Sequence, residues 1–326
     1  MKKIAIIGSG LSGLTTSNLL KDIANITVFE KARGVGGRMS TRRAHPYYFD
    51  HGAQYFTVRT KEFKDFINPS IENGLIQKWN TRYVKFNYDK IIEVKNPTNE
   101  DRYVCVPGMN AFAKYLSTDL NIKINTKIST LNRDKKWKLY DDNKNFLGDY
   151  DWVISTSPSP QASDLLPKEF KYYNEVASTK MTACFSLMIG FEKPLNLSFD
   201  AAHIINSDIS WIAVNSKKPG RSGNYSIMIH SSCEYAEKYI DDNREKVINH
   251  MCLQASKIIG HDICDAEYIN IHPWRYSNNY RDEKLPVLID YDLQLASCGD
   301  WCEGGRVEGA FTSAYNMSEE LKKILL

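Results

Sequence analysis

An α/β fold in two lobes is predicted by three features of the sequence. An apolar run enters Gly8-Ser9-Gly10-Leu11-Ser12-Gly13, a second apolar run closes on Glu30, and a series of strands with helical cover lies between Ala162 and Ile271. The first two make a Rossmann-type dinucleotide-binding unit. The third makes a second, α+β lobe built on an antiparallel sheet. A length of 326 residues is enough for two lobes of ordinary size.

Ile4-Ala5-Ile6-Ile7 is a short apolar run of the kind that forms a buried parallel strand. The glycine motif follows at once, and Leu14 to Leu20 continue at helical spacing. Gly8 makes the tight turn, Gly10 lets the backbone approach a pyrophosphate, and Gly13 lets helix and strand pack closely. The helix N-terminus, opened by Leu11 and Ser12, then faces the anion. Ile26-Thr27-Val28-Phe29 is the second strand, and Glu30 stands 17 residues after Gly13. A carboxylate there accepts hydrogen bonds from the adenosine ribose hydroxyls and repels a 2′-phosphate. Lys31, beside it, is counted with the same binding set. NAD and FAD satisfy this motif equally.

The next residues separate the two. Glu30-Lys31-Ala32-Arg33-Gly34-Val35-Gly36-Gly37-Arg38-Met39-Ser40-Thr41 resembles the second diglycine motif of FAD enzymes in the amine oxidase and glutathione reductase-like group. The resemblance implies that Gly37, Arg38 and Met39 lie beside the FAD diphosphate. FAD is longer than its ADP half, so a second loop has to cover the rest. Tyr48-Phe49-Asp50-His51-Gly52-Ala53-Gln54-Tyr55-Phe56-Thr57 narrows the likeness to the renalase-like branch of the FAD-dependent amine oxidase and oxidoreductase superfamily, which carries a D-x-G-A-Q-Y-F/I-T segment. It implies that His51, Gly52, Ala53 and Gln54 run along the flavin, and that Gln54 and Tyr55 meet the flavin or the substrate. His51 reads as a hydrogen-bonded structural group in preference to a general base.

Glu62 to Leu75 is an amphipathic helix, and Trp79 to Val94 reads as strands. Val106-Pro107-Gly108-Met109-Asn110 opens a helix through Leu116, a pattern common in the same family. Ile122 to Leu131 is expected as one strand, in which Ile128 matches the family position whose backbone contacts the adenine. A hairpin follows, with Trp137 to Tyr140 as a strand and Asn143 or Asn145 in the turn. Tyr150 to Pro158 resembles the strand that returns to the Rossmann sheet beside the cofactor, which brings Thr156 there. Further on, Cys184–Phe191, Ala202–Ile205, Trp211–Asn215 and Tyr225–His230 are strands, followed by one long helix from Glu234 to Ile259.

His272-Pro273-Trp274-Arg275-Tyr276 resembles a W-R-[YHF] segment of renalase-like proteins. Trp274 is then a wall of the flavin pocket and a stacking platform for a planar substrate, with a core tryptophan as the plain alternative. Leu295 to Asp300 is a strand ending in Gly-Asp, and Trp301 to Phe311 opens the final helix. The family likeness implies that Asp300 holds a ribityl hydroxyl. It also implies that Arg306, Val307 and Ala310 stand at a helix N-terminus aimed at flavin N1 and O2, where reduced flavin is anionic. The implied fold is a Rossmann-type FAD-binding domain of the amine oxidase or p-hydroxybenzoate hydroxylase type. It is expected over 1–60, 105–165 and 272–326, with the α+β substrate domain over 61–104 and 166–271.

Composition excludes other classes. The formal net charge is +3 with no basic block, so nothing points to nucleic acid. Seven cysteines without metal-ligand spacing suit reduced thiols in a cytoplasm, and no metal is expected. No run approaches the ~20 apolar residues that span a bilayer. No nucleophile motif or Walker loop appears, which leaves the chemistry to the FAD that the resemblance implies. The attachment cysteine of that family, where one exists, sits in a different sequence context from Cys302, so the FAD is expected to be non-covalent. The renalase-like resemblance implies oxidation of 2- or 6-dihydro isomers of NAD(P)H to NAD(P)+, with O2 as acceptor giving H2O2. The wider family implies amine oxidation as the alternative, and a non-catalytic FAD-binding scaffold or sensor is a third class. Tyr55 and Trp274 are expected to bound a slot for the dihydropyridine. Arg59 or Arg275 is a candidate for its phosphates, with an ion pair favoured for each.

Overall fold

In the strand Lys2–Ile7 the last four residues are buried, with Ile4 and Ile6 in one core and Ala5 and Ile7 in another. Side chains alternate along a strand, so a continuous apolar run means that both faces of its sheet are covered. That sheet runs Leu288–Asp290, Leu295–Ser297, Trp152–Ser155, Lys2–Ile7, Ala24–Phe29, Ile122–Lys123. All pairings are parallel except the antiparallel edge at Leu288–Asp290. The chain leaves Lys2–Ile7 first toward Ala24–Phe29 and later returns on its other side at Trp152–Ser155. This reversal puts a ligand crevice at the carboxyl end of the first strand. Leu20, Ala314, Met317 and Leu321, from the helices Leu11–Leu20 and Val307–Leu325, cover one face. A three-stranded antiparallel sheet, Ile128–Arg133, Trp137–Asp141 and Phe146–Tyr150, covers the other with Ile128, Trp137, Leu139 and Tyr150.

This computed structural model describes residues 1–94, 100–279 and 284–326. Two compact units result: unit 1 is Met1–Met39, Phe112–Met181 and Asn278–Leu326, and unit 2 is Ser40–Ala111 and Thr182–Ser277. These borders differ from the sequence-based ones, since residues 40–60, 105–111 and 272–277 group with unit 2 and 166–181 with unit 1. Packing gives the reason for the first of these. Tyr47 and Phe49, on the hairpin Arg42–Ala44/Tyr47–Phe49, are buried against Met188 and Met228.

Unit 2 carries a seven-stranded sheet in the order Tyr268–Asn279, Met181–Phe191, Tyr225–Ser231, Ile209–Val214, Ala201–Ile205, Tyr83–Asn87, Lys90–Glu93. The first of these strands continues past the unit border. The sheet is not wholly antiparallel, because Ala201–Ile205 pairs with Tyr83–Asn87 in parallel. Arg82, just before the latter strand, binds the Asp200 carboxylate with Nε at 3.0 Å and Nη2 at 2.6 Å. Two further expectations need correction. The single helix from Glu234 is two, Cys233–Tyr239 and Arg244–Ile259. Asn243 starts the second by accepting from the Glu245 and Lys246 amides at 2.9 and 3.2 Å, an N-cap inside the helical pattern. The single strand Ile122–Leu131 is also two, because Asn125 takes a left-handed φ of 52° and turns the chain between sheets. Among the described residues no helix is long and apolar enough to cross a membrane.

Candidate functional site

The candidate binding residues Gly8, Gly10, Gly13, Gly37 and Thr156 of unit 1 gather at the end of its first strand. Gly8 has a φ of +106°, and its amide donates to the Phe29 carbonyl at 2.8 Å. A Cβ on Gly13 would stand 2.0 Å from the Gly8 carbonyl oxygen, so the helix can start there only on glycine. A Cβ on Gly10 would meet nothing within 4 Å. The helix Leu11–Leu20 has Gly10 as its N-cap, no side-chain cap and no acid in its first turn. Its first N–H groups are therefore left for an outside acceptor, on a side with open space.

Glu30 is buried behind this turn. Its Oε2 accepts from the Ser9 amide at 2.9 Å and the Ser9 hydroxyl at 2.7 Å, and its Oε1 from the Ala32 amide at 2.7 Å. Lys31 points elsewhere, donating to Gln161 at 2.8 Å. The second diglycine folds back on the first: Gly36 donates to the Ser9 carbonyl at 2.9 Å, and a Cβ on Gly37 would lie 3.4 Å from Gly10 Cα. Gly36 and Gly37 both have positive φ, which glycine alone adopts readily. Thr156 Oγ1 donates to the carbonyls of Ile7 and Gly8 at 3.0 and 3.1 Å. Arg38 and the buried Asp300 form a two-pronged ion pair, with Nη1 to Oδ2 at 2.8 Å and Nη2 to Oδ1 closer still. Ser12 donates to Ala310 O at 2.8 Å, which ties the first helix to the last. Val307–Leu325 starts after Arg306 without a side-chain cap, so it too presents backbone N–H groups. Ile128 and Met39 are buried, and Arg306 is exposed.

In unit 2 the hub is Asp50, which is fully buried. Its Oδ1 accepts from Thr41 at 2.7 Å and the Met109 amide at 3.0 Å. Its Oδ2 accepts from Lys218 at 3.3 Å and from Arg221 at 3.1 and 2.5 Å. Burial pushes this carboxyl up, but the charges of Lys218 and Arg221 and the Met109 amide outweigh it and hold the pKa below its ordinary value. Burial lowers Lys218 to about 8, against the pull of Asp50. Gln54 is held at both ends. Its Oε1 accepts from Lys218 at 3.1 Å, and its Nε2 donates to the carbonyls of Asp50 and, at 3.1 Å, Gly52. His230 Nε2 lies 3.4 Å away, and burial with the nearby Lys218 lowers that ring to about 3.

Two aromatic groups flank this hub. Tyr55 packs on Trp79 and Trp211 at 6.3 and 5.5 Å, with Trp211 also against Tyr83. Arg102 lies 5.0 Å over Tyr55 and 4.3 Å over Tyr83, and Lys218 lies 5.4 Å over Trp79. In the other group His51 stacks on Trp274 at 5.4 Å, and His272 meets both rings edge-on at 5.2 and 4.3 Å. Trp274 Nε1 donates to the His51 carbonyl at 2.7 Å. Burial, His272 and Arg42 lower His51 to about 4, and burial, Arg42 and Arg244 lower His272 likewise. Tyr55 and Trp274 thus sit in different ring groups. Arg59 and Arg275 are in ion pairs with Glu100 and Asp241.

Sequence reasoning passed over Asp50, Lys218, Arg221, Arg102 and Trp211 as site residues. One signal was available: Lys218-Pro219-Gly220-Arg221 sets two cations about a Pro-Gly turn right after a buried strand, with Gly220 at a φ of +66°. Two cations placed there need a buried acid.

Fold and binding residues together define a dinucleotide-binding α/β protein, and comparison with known proteins goes further. Residues 6–69 match the NAD(P)-binding Rossmann-like domain, and residues 82–322 match the flavin-containing amine oxidoreductase family. The chain belongs to that second family, a family of FAD-dependent oxidoreductases, and its cofactor is FAD. The uncapped helix at Gly10 and the open space beside it fit the diphosphate of that cofactor. Among solved structures, a candidate protoporphyrinogen oxidase from Exiguobacterium sp. 255-15 superposes with a TM-score of 0.78 at 12% identity, covering 99% of both chains. A triple mutant of putrescine oxidase redesigned for cofactor binding gives 0.76 at 12% identity, again over 99% of both. An L-glutamate oxidase precursor from Streptomyces diastatochromogenes is 42% identical over 69 residues, which is 20% of this chain and 10% of that protein.

Proposed function

We propose that this protein is a renalase-like FAD-dependent oxidase that converts 2- or 6-dihydro isomers of NAD(P)H to NAD(P)+. One hydride leaves the dihydropyridine carbon, and its two electrons and its proton pass finally to O2, which with one further proton becomes H2O2. FAD supplies the hydride acceptor at N5. On the protein side, Glu30 receives the adenosine ribose, and the N-terminus of Leu11–Leu20 and Arg38 receive the diphosphate. His51, Gly52, Ala53 and Gln54 take the flavin end, with Gln54, Tyr55 and Trp274 positioning the substrate.

The observation that supports this choice of substrate is the buried positive charge of unit 2. Asp50 is shared by Lys218 and Arg221, and Arg102 covers the rings of Tyr55 and Tyr83. An ammonium group brought here would meet like charges in a low-dielectric setting, where repulsion is strong. A neutral dihydropyridine on an anionic dinucleotide meets no such barrier. The neutral rings of His51 and His272 fit the same reading, since neither adds a charge at neutral pH.

Amine oxidation is the second reading, favoured by the Tyr55, Trp79, Tyr83 and Trp211 cluster, whose faces suit a cation. It draws support from relatives named as putrescine oxidase and L-glutamate oxidase. The test is anaerobic mixing of the FAD-loaded protein with each donor, following loss of flavin absorbance. The 2- or 6-dihydro isomers should bleach the flavin faster than ordinary 4-dihydro NADH, putrescine or L-glutamate. Faster bleaching by an amine would replace the first reading with the second.

A further inference from the structure

Four arginines of unit 2 are committed to acids. Arg59 forks onto Glu100, Arg82 onto Asp200, Arg221 onto Asp50, and Arg275 pairs with Asp241. Arg102 is different. It is only 6% exposed, yet among the described residues its guanidinium has no ion pair and no hydrogen bond. None of its nitrogens is sealed off, so the donors stay within reach of an incoming group. The acids that precede it in sequence are taken, Glu100 by Arg59 and Asp101 by Lys78, each at 2.7 Å.

The fold holds this side chain in place through the backbone on both sides of it. Phe56 and Tyr103 exchange both backbone hydrogen bonds, at 2.9 and 2.8 Å, and the Trp79 amide donates to the Arg102 carbonyl at 2.7 Å. What the side chain meets is aromatic. Its guanidinium carbon lies 5.0 Å from the centre of the Tyr55 ring and 4.3 Å from that of Tyr83, and both rings pack on Trp211. Ring faces attract a cation, but they do not take up the five N–H donors of its planar fork. The same group of rings already carries positive charge. Lys218 lies 5.4 Å over Trp79 and shares one carboxylate, that of Asp50, with Arg221. Arg102 is thus a third cation beside two that divide a single acid. A buried charge is costly unless it is paired. A guanidinium fork with open donors, set among rings and in surplus positive charge, calls for an oxyanion.

We infer that Arg102, set against Tyr55 and Tyr83, receives an anionic group of the substrate. This rests on the dinucleotide reading above, in which the group is a phosphate; a carboxylate has the same chemistry. It moves the phosphate-holding role from Arg59 and Arg275, which hold Glu100 and Asp241, to the arginine whose donors are open.

The test is calorimetric titration of the FAD-loaded protein with inorganic pyrophosphate and, separately, with benzoate. Wild-type protein should bind pyrophosphate, with affinity that falls as NaCl is raised. Arg102→Met keeps the apolar stem against the two tyrosines and should weaken binding about tenfold or more, with FAD content unchanged. Its melting temperature without anion should stay level or rise, since the change removes a buried charge that no acid compensates. Arg102→Lys keeps the charge but loses the fork, so a loss of a few-fold is expected. If Arg102→Met fails to fold, the lysine variant decides. Binding of benzoate but not pyrophosphate, with the same dependence on Arg102, would keep the site and assign it to a carboxylate. Equal binding in wild type and variants, or no binding of either probe, would overturn the inference. A lowered melting temperature with anion affinity unchanged would overturn it too, by making Arg102 a clamp on two rings. Anion binding that needs Arg102, in a protein whose flavin no dihydro isomer reduces, would leave the site standing and remove the proposed substrate.

Discussion

Replacing Asp50 by Asn tests the hub of unit 2. The change keeps the shape of the side chain, and an oxygen at Oδ1 can still accept from Thr41 and Met109. It removes the negative charge and turns an NH2 group toward Lys218 and Arg221, which are 0% and 1% exposed. Breaking a buried ion pair from one side costs about 3–5 kcal/mol, because the surviving charge is left without compensation. Here two charges survive, so the upper end of that range applies. A domain has about 5–15 kcal/mol in total. The midpoint of urea unfolding, in excess FAD to fix the contribution of binding, should therefore drop steeply. Adding Lys218→Met to Asp50→Asn removes one stranded cation and should recover about 1–3 kcal/mol, although Lys218→Met alone is destabilising. A loss below about 1 kcal/mol for Asp50→Asn, or simple additivity of the two changes, would refute the claim that this carboxylate balances both cations.

Two other expectations concern single groups. Gly13→Ala should prevent folding of unit 1, because its Cβ would sit 2.0 Å from the Gly8 oxygen, whereas Gly10→Ala meets no protein atom within 4 Å. Gly10→Ala should thus fold normally yet lose FAD on gel filtration, and retention of the cofactor would show that the diphosphate does not pass there. Acid should destabilise the protein early. The folded pKa values of His51 and His272, about 4, lie below the ordinary 6.5, so the unfolded chain binds more protons between those values. Stability is then lost as pH falls through that window, by about 2 kcal/mol from pH 7 to 5 for a buried ring such as His51. His51→Gln should flatten the fall in melting temperature, and an unchanged slope would count against a neutral, buried His51.

The parts of the protein visible in its sequence are those whose physics is local. Gly8, Gly10, Gly13 and Glu30 announce a strand, a turn and an acid within one short stretch, and the structure gathers them around Ser9. The hub around Asp50 was not visible in the same way, because its charge partners Lys218 and Arg221 lie 168 and 171 positions away. The parallel pairing of Ala201–Ile205 with Tyr83–Asn87 is likewise non-local, and an alternating pattern does not specify strand direction. Asn243 is a different case. A capping residue sat in plain view inside a helical pattern, and the periodicity of Glu234 to Ile259 masked it. Tyr55 and Trp274 were grouped by their likeness to one family, yet packing sets each against other rings.

The cofactor is the point on which the account stands most directly. The purified protein should be yellow, and acid precipitation should release its chromophore into the supernatant. Chromatography should identify that chromophore as FAD rather than FMN, near one per chain, since the glycine loops and Glu30 serve an ADP half and Cys302 is buried with its thiol pushed well above the ordinary range. A colourless protein that binds NAD alone, or a flavin that stays with the pellet, would contradict it.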